Sequence, residues 1–431
     1  MKLGMISLGC AKNLVDSELF LGLCTKYKIE ITNDVNDADI ITINTCGFID
    51  KAKEESLDTI MEIVKLKEKN IKLKIIVIGC LVQRYLDELK KEIPEVDYFI
   101  PIKDYHKIDD IFMLLTSSSS HHELSYTNRI ISTGNTSCYV RIGDGCDNRC
   151  SYCAIPLIRG SYRSRQKDDI LNEVKYLSKK GIKDITLISQ DTSKYGIDLD
   201  NYNLANLLED IVSLNLFKTI RVLYMYPDEV TDEIINVFKK YDTIVNYFDI
   251  PIQHASNKLL KAMNRRGSKE LIENLINKIR QNIPDAVIRT TIIVGFPGET
   301  KDDFEELKQF IKKIKFERLG AFTYSDEENT KGYTMDHKVS ENTMNKRYNE
   351  LLEIQKEIAL SYNESRVGQI LEVLVEEYDE EILMFKTRSY AEAPDDADGY
   401  IYVPGDLKIG DYVKIKITAT YDYDLIGEII Q

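Results

Sequence analysis

No apolar run in this 431-residue sequence approaches the roughly 20 residues of a membrane span. The longest, residues 75–82, has Gly79 inside it. The opening stretch, MKLGMISLGC, has one lysine and an apolar run broken by Gly4 and Gly9. It lacks the apolar core and small-residue cleavage site of a secretory signal, so a cytoplasmic address is expected, with no membrane partner. Basic charge is also short: Lys plus Arg is 57 against 71 for Asp plus Glu, a net of −14. A surface built to neutralise many phosphates leans the other way, which disfavours direct nucleic-acid binding. Eight cysteines are present, yet a reducing compartment removes the case for a disulfide framework. Metal binding or catalysis is the better use for them, and their spacing decides which. With 43% hydrophobic and 30% charged residues, the chain has a globular composition, and its length calls for two or three domains.

The expected fold class is α/β, with three parts in chain order. Residues 1–116 alternate short apolar runs (3–8, 40–43, 75–78) with helical patterns (14–26, 51–69), the signature of an open parallel sheet covered by helices. A tract without periodicity, residues 117–134, holds the serine run 117–120 and His121-His122 and is expected to be an exposed linker. Residues 135–362 resume the alternation, with strands expected near 138–142, 184–189, 219–224, 247–250, 286–294 and 318–322. Helical patterns such as 168–180 and 302–315 separate them, and a long polar helix over 341–361 follows. That repetition predicts a partial parallel barrel. Residues 363–431 are β-rich, with runs at 372–375, 399–403 and 412–417 and turns at Pro394-Asp395-Asp396 and Pro404-Gly405-Asp406. A small antiparallel barrel is expected there. From Arg366 onward this part carries 15 acids against 6 bases, so most of the net negative charge lies in it.

The strongest chemical signal is C-x-x-x-C-x-x-C at Cys146, Cys150 and Cys153, just after a strand. Three thiols within eight residues suit one inorganic cluster. Zinc would call for a fourth Cys or His nearby, and none follows. Ferredoxin clusters use four cysteines at other spacings. Three thiolates on a four-iron cube leave one iron open for a small chelating molecule. Cys10, Cys46 and Cys80 form a second set, each just beyond a strand of the first domain. In an open parallel sheet the carboxyl ends of strands share one edge, which would bring these three thiols together. Gly9, Gly47 and Gly79 beside them permit a tight backbone. Cys24, inside a helical pattern, and Cys138, inside a strand, are expected to be packing residues.

The Cys146, Cys150 and Cys153 spacing, with Tyr152 before the last cysteine, resembles the radical S-adenosylmethionine (SAM) superfamily. Two open clusters and a small terminal barrel together resemble the methylthiotransferases, whose amino-terminal, radical-SAM and TRAM (OB-like) parts would cover essentially the whole chain. Residues 7–18 (SLGCAKNLVDSE), 188–192 (ISQDT), 248–254 (FDIPIQH), 294–300 (VGFPGET) and 423–427 (YDLIG) are similar to the RimO branch. Ala11 stands where that pattern usually has proline.

The resemblance implies two 4Fe-4S clusters, on Cys10, Cys46 and Cys80 and on Cys146, Cys150 and Cys153, with SAM as both methyl donor and radical source. It further implies methylthiolation at the β-carbon of an aspartate in small-subunit ribosomal protein twelve, and a flavodoxin or ferredoxin as electron donor. Hydrogen abstraction from unactivated carbon belongs to the cofactor, so no acid–base residue is assigned a catalytic role. Tyr152, Arg159, Gly295, Pro297 and Gly298 are the expected cofactor contacts; Arg163 and Arg165 are weaker candidates, and His254 is read as a packing residue. A basic ribosomal protein suits the acidic terminal barrel. The alternatives are a tRNA adenosine methylthiotransferase resembling MiaB and a non-enzymatic metal scaffold.

Overall fold

The computed structural model describes residues 1–134, 136–394 and 397–430, so part of the turn expected at Pro394-Asp395-Asp396 lies outside the described residues. The chain folds into two compact units. One comprises Met1–Ser132, Tyr139–Tyr176 and Ser325–Tyr333; the other comprises Thr133–Cys138, Leu177–Tyr324 and Thr334–Gln431. No helix among the described residues is long and apolar enough to cross a membrane.

The first unit opens with β1 (Lys2–Ser7), α1 (Ala11–Lys26), β2 (Glu30–Ile31), β3 (Ile40–Thr45), α2 (Asp50–Lys69), β4 (Lys74–Gly79), α3 (Cys80–Glu92), β5 (Tyr98–Pro101) and α4 (Ile108–Thr116). Its five strands form a parallel sheet in the order β2-β1-β3-β4-β5. Alternate residues of β3 and β4 feed two separate cores. Ile41, Ile43, Ile75 and Val77 pack with Ile60, Ile63 and Val64 of α2 and Val82 and Leu89 of α3. Ile40, Ile76 and Ile78 pack with Phe20 and Leu23 of α1 and Phe112 of α4. Burial on both faces is why these strands read as unbroken apolar runs. Helix α1 is different, because Lys12, Asn13, Asp16, Ser17 and Glu18 are all buried along with its apolar residues.

Next along the chain come β6 (Ser137–Arg141), β7 (Gly143–Asp144), α5 (Ile155–Arg159), β8 (Arg163–Ser164) and α6 (Lys167–Lys179), of which β7, α5 and β8 lie wholly in the first unit. Strands β7 and β8 pair antiparallel, Gly143 with Ser164 and Asp144 with Arg163, and frame the loop between them. The tract expected as an exposed linker is not exposed throughout. Arg129 is fully buried, between Glu18 at 2.8 Å and Glu173 at 3.0 Å. A guanidinium can be buried so deeply because two carboxylates neutralise it.

The second unit contains β9 (Asp184–Ile188), α7 (Leu204–Ser213), β10 (Thr219–Val222), α8 (Asp232–Lys240), β11 (Tyr247–Asp249), α9 (Asn257–Ala262), α10 (Lys269–Asn282), β12 (Val287–Val294), α11 (Lys301–Ile314), β13 (Arg318–Thr323) and α12 (Glu341–Arg366). Strand β9 pairs parallel with β10, and β11, β12 and β13 form a parallel sheet. A parallel bridge from Ile220 to Ile244 and a 2.9 Å bond from Met225 N to Asp249 O carry the succession from β10 to β11. This is the strand–helix repetition expected of a partial barrel.

The unit ends in a closed barrel of β14 (Ile370–Asp379), β15 (Met384–Arg388), β16 (Ile401–Val403), β17 (Tyr412–Tyr421) and β18 (Asp424–Ile429), in the order β14-β15-β16-β18-β17. Val373, Ile401, Val403, Ile415, Ile417 and Leu425 fill it. All its ladders are antiparallel except β16–β18, which is parallel. Strands β15 and β18 have no counterpart among the expected runs, since β15 is short and β18 buries only Leu425 and Gly427, too few apolar side chains to show an alternation.

Candidate functional site

All six expected cluster ligands lie in the first unit. Strands β1, β3 and β4 run parallel and side by side, so their carboxyl ends share an edge. Cys10 is the residue before α1, Cys46 directly follows β3, and Cys80 is the first residue of α3. Two of the three thiols therefore stand at helix amino termini, where the helix dipole favours a thiolate. Ala11 is the first residue of α1, the position where proline is tolerated because its N–H has no partner within the helix. Alanine costs only the fixed φ of proline there.

Two glycines show how closely the loops approach. At Gly9 (φ +89°) a Cβ would lie 2.8 Å from Cys46 Cβ and 3.1 Å from its sulfur. At Gly79 (φ +106°) it would lie 2.4 Å from the Thr45 carbonyl oxygen. The strand-end reading of Cys10, Cys46 and Cys80 thus corresponds to a convergence in space, and Cys10 and Cys46 both act electrostatically on Cys80.

Residues that sequence reasoning did not single out hold this edge together. Asn13 Nδ2 donates at 3.0 Å to the carbonyls of both Leu8 and Thr45, tying the Cys10 loop to the Cys46 loop. Its Oδ1 accepts from the Cys80 thiol at 3.5 Å and from Arg159 Nη2 at 2.9 Å. Asn44 Nδ2 donates to Asn13 O at 2.7 Å and to Ser17 Oγ at 3.0 Å. Ser56 of α2 receives the Cys46 N–H and donates to the Cys46 carbonyl, both at 3.0 Å. The available signal was polarity at core positions of α1 and α2.

Burial pushes the Cys80 thiol up to about 12; Arg159 opposes this, while Cys10 and Cys46 add to it. Burial also raises Cys46. Holding Cys46 and Cys80 as thiolates would therefore call for a positive group beside them, which an iron cluster would provide. Among the described residues only Asp109, Asp110 and His121 bring three ligand atoms within 4.8 Å of one another. Neither cysteine trio is drawn in to the sulfur spacing of tetrahedral zinc, about 3.8 Å. Tyr105 Oη is buried with no hydrogen-bond partner among the described residues, where the charges of Asp16, Arg159 and Cys80 act on it. That orphaned donor also fits a sulfur-rich group at this edge.

The second trio occupies the loop between β7 and α5. The Cys146 N–H donates to Gly160 O and the Cys153 N–H to Cys150 O, both at 3.0 Å, closing the loop on itself. Gly332 N donates to Ser151 O at 2.6 Å, and Tyr162 N to Asp147 Oδ2 at 3.2 Å. Cys150 is buried, whereas Cys146, Tyr152 and Cys153 are half-buried. Immediately beyond, Ala154 and Ile158 share a small apolar cluster with Cys80. The helix that follows one trio therefore packs against a member of the other.

Arg159 ends that helix with its side chain 2% exposed. It holds Asp16 at 2.9 Å and Asp144 at 3.3 Å, and its Nη2 is 4.0 Å from Cys80 Sγ. Arg165 pairs with Asp169 and Glu173 and lies 3.3 Å over the Tyr126 ring, while Arg163 is exposed. Gly295, Pro297 and Gly298 lie in the second unit, directly after β12. A Cβ at Gly295 would meet Met344 of α12 at 2.2 Å, whereas the space at Gly298 is open. Nearby, Glu299 accepts from Gly295 N and pairs with Arg347 at 3.0 Å, and burial raises its carboxyl to about 7. His254 is fully buried, its Nδ1 accepting from Ser256 N at 3.0 Å, and burial lowers it to about 3.

Residues 140–311 match the radical SAM superfamily, residues 2–101 the uncharacterized protein family UPF0004, and residues 367–430 the TRAM domain. The chain is 47% identical over 436 residues to the ribosomal protein uS12 methylthiotransferase RimO of Thermoanaerobacter sp. (strain X514), covering 99% of both chains. It is 45% identical over 446 residues to RimO of Clostridioides difficile (strain 630), covering 100% of this chain and 99% of that one. The chain belongs to the RimO family. Membership brings SAM and a 4Fe-4S cluster with the radical SAM domain, and makes the chain a SAM-dependent methylthiotransferase. The fold is shared more widely. The radical SAM methyltransferase TsrM from Kitasatospora setae superimposes with a TM-score of 0.55 at 13% identity, over 74% of this chain and 72% of that one. OxsB, a cobalamin-dependent SAM radical enzyme, gives 0.53 at 14% identity, over 82% of this chain and 56% of that one.

Proposed function

We propose that this chain attaches a methylthio group to the β-carbon of an aspartate in ribosomal protein uS12. The observation that carries the reading is the meeting of Cys10, Cys46 and Cys80 at one sheet edge, in the same compact unit as the Cys146, Cys150 and Cys153 loop. Cys10, Cys46 and Cys80 hold an auxiliary 4Fe-4S cluster, and Cys146, Cys150 and Cys153 hold the radical-SAM cluster. When bound, the two clusters and SAM supply a methylated sulfur and a radical able to take hydrogen from carbon.

The chain's own residues do the rest. Asn13 and Ser56 fix the Cys10 and Cys46 loops, so the three thiols are presented from a rigid edge. Tyr152, Gly295, Pro297 and Gly298 are the proposed SAM contacts; the open space at Gly298 leaves room for a ligand against the backbone. Arg159 acts on the auxiliary side. The terminal barrel, with 15 acids against 6 bases, attracts a basic ribosomal protein and repels a phosphate backbone. A flavodoxin or ferredoxin supplies the electron, and the setting is the cytoplasm. The tRNA-modifying alternative is not favoured, since relatives at 44–47% identity across the chain carry the uS12 name.

The test is anaerobic incubation of the full chain with SAM, reductant and uS12, followed by mass analysis of the substrate, with tRNA assayed in parallel. A methylthio adduct on one aspartate of uS12 is expected. A product on tRNA alone contradicts the proposal. Cys150→Ala should abolish SAM cleavage, while Cys46→Ala should leave cleavage and stop sulfur insertion. Iron analysis should give about eight irons per chain and no zinc.

A further inference from the structure

We infer that Arg159 is a positioning residue for the auxiliary cluster, setting its reduction potential through a fixed positive charge on the Cys80 side. The inference rests on the assignment of Cys10, Cys46 and Cys80 as cluster ligands. Arg159 Nη2 lies 4.0 Å from Cys80 Sγ and is braced by Asn13 Oδ1 and Asp16 Oδ2, both at 2.9 Å. Nη1 is held by Asp144 at 3.3 Å. With the side chain 2% exposed, water and salt barely screen this charge. Asp16 is equally buried and is shared with Arg141, whose Nη1 lies 2.5 Å from Oδ1. Two guanidiniums thus meet one fully buried carboxylate, and the partly exposed Asp144 supplies the remaining negative charge.

A cluster becomes more negative when it is reduced. A buried positive charge and an N–H directed at a ligand sulfur favour that state and raise the potential. Tyr105 adds a hydroxyl with no partner among the described residues, beside the same sulfur and the same arginine. Arg159 also lies only six residues beyond Cys153, on the helix whose Ala154 and Ile158 pack against Cys80. One short helix therefore follows the radical-SAM loop directly and supplies the charge on the auxiliary site.

The test uses the full chain with Cys146, Cys150 and Cys153 all changed to alanine, so that any remaining cluster is the auxiliary one. Its midpoint potential is read by an EPR-monitored redox titration. Arg159→Gln should lower the potential, Arg159→Lys should largely restore it, and Asp144→Asn should raise it, by less because Asp144 is partly exposed. A purely structural role would not give opposite signs. A loaded cluster whose potential is unmoved by Arg159→Gln overturns the inference and leaves the functional proposal standing. If Arg159→Gln fails to load iron, Asp144→Asn decides by the sign of its shift, and no shift overturns the inference. A parent variant that binds no iron overturns both.

Discussion

Arg159 Nη2 and Asp16 Oδ2 lie 2.9 Å apart although 143 residues of chain separate them. Asp16 comes from the first helix of the sheet domain and Arg159 from the helix after the radical-SAM loop, so this pair clamps the supports of both cysteine trios. Asp16→Asn leaves Arg141 and Arg159 against a neutral amide. Breaking a buried ion pair costs about 3–5 kcal/mol. The denaturation midpoint of the full chain should fall accordingly, and an unchanged midpoint would contradict the clamp.

Asn13→Leu keeps the side-chain volume and removes both donors. The Leu8 and Thr45 carbonyls then lose a buried partner, at about 1–3 kcal/mol each. Iron bound through Cys10, Cys46 and Cys80 should be lost while the Cys146, Cys150 and Cys153 loop keeps its own, so iron per chain should fall by about half. Full iron content in this variant would count against Asn13 as the fastening of the edge.

Gly79→Ala and Gly181→Ala separate close contact from backbone conformation. Both glycines have positive φ, +106° and +90°, but only Gly79 has a backbone oxygen within 2.4 Å of the added carbon. Gly181→Ala should cost about 1–2 kcal/mol from its left-handed backbone alone. Gly79→Ala should cost clearly more and also disturb Cys46, one residue beyond Thr45. Equal losses of stability would remove the close approach as the explanation.

Arg129→Met strands Glu18 in the interior and leaves Glu173 to Arg165 alone, at a cost of about 3–5 kcal/mol. Adding Glu18→Gln and Glu173→Gln should restore much of the midpoint, because no uncompensated charge remains. If the triple variant is no better than the single one, packing of the arginine stem rather than its charge is what matters.

His254 supplies a pH dependence with a definite sign. Burial lowers its pKa from 6.5 to about 3, so it stays neutral in the fold while the unfolded chain takes up a proton. Its contribution to stability is complete above pH 6.5 and is lost as pH falls toward 3. The parent chain should therefore lose stability relative to His254→Asn on acidification between those values. Parallel midpoint curves for the two chains would rule this out.

Much of the framework was legible because it depends on short-range pattern. Each expected strand of the first domain corresponds to an observed one within a residue or two, since a strand buried on both faces must be apolar throughout. The edge strand β5 and the barrel strands β15 and β18 were not legible; β5 and β15 are short, and β18 buries only Leu425 and Gly427, so none displays an apolar period. The residues 325–333 also gave no sign of belonging to the first unit, where buried Glu327 meets Arg84 and Lys53. An ion pair between distant positions has no periodicity to announce it.

The sequence by itself determined where the six cysteines fall. Three thiols inside eight residues stay close whatever the rest of the chain does, and cysteines placed just after parallel strands must reach one edge. Only the tertiary structure decided what surrounds them. Asn13, Asp16, Tyr105 and Arg159 reach Cys80 from three different helices and loops, and Arg159 turns toward Cys80 because Asp16 and Asp144 compensate its buried charge there. Side-chain pairings of this kind depend on how elements pack, which local pattern does not encode.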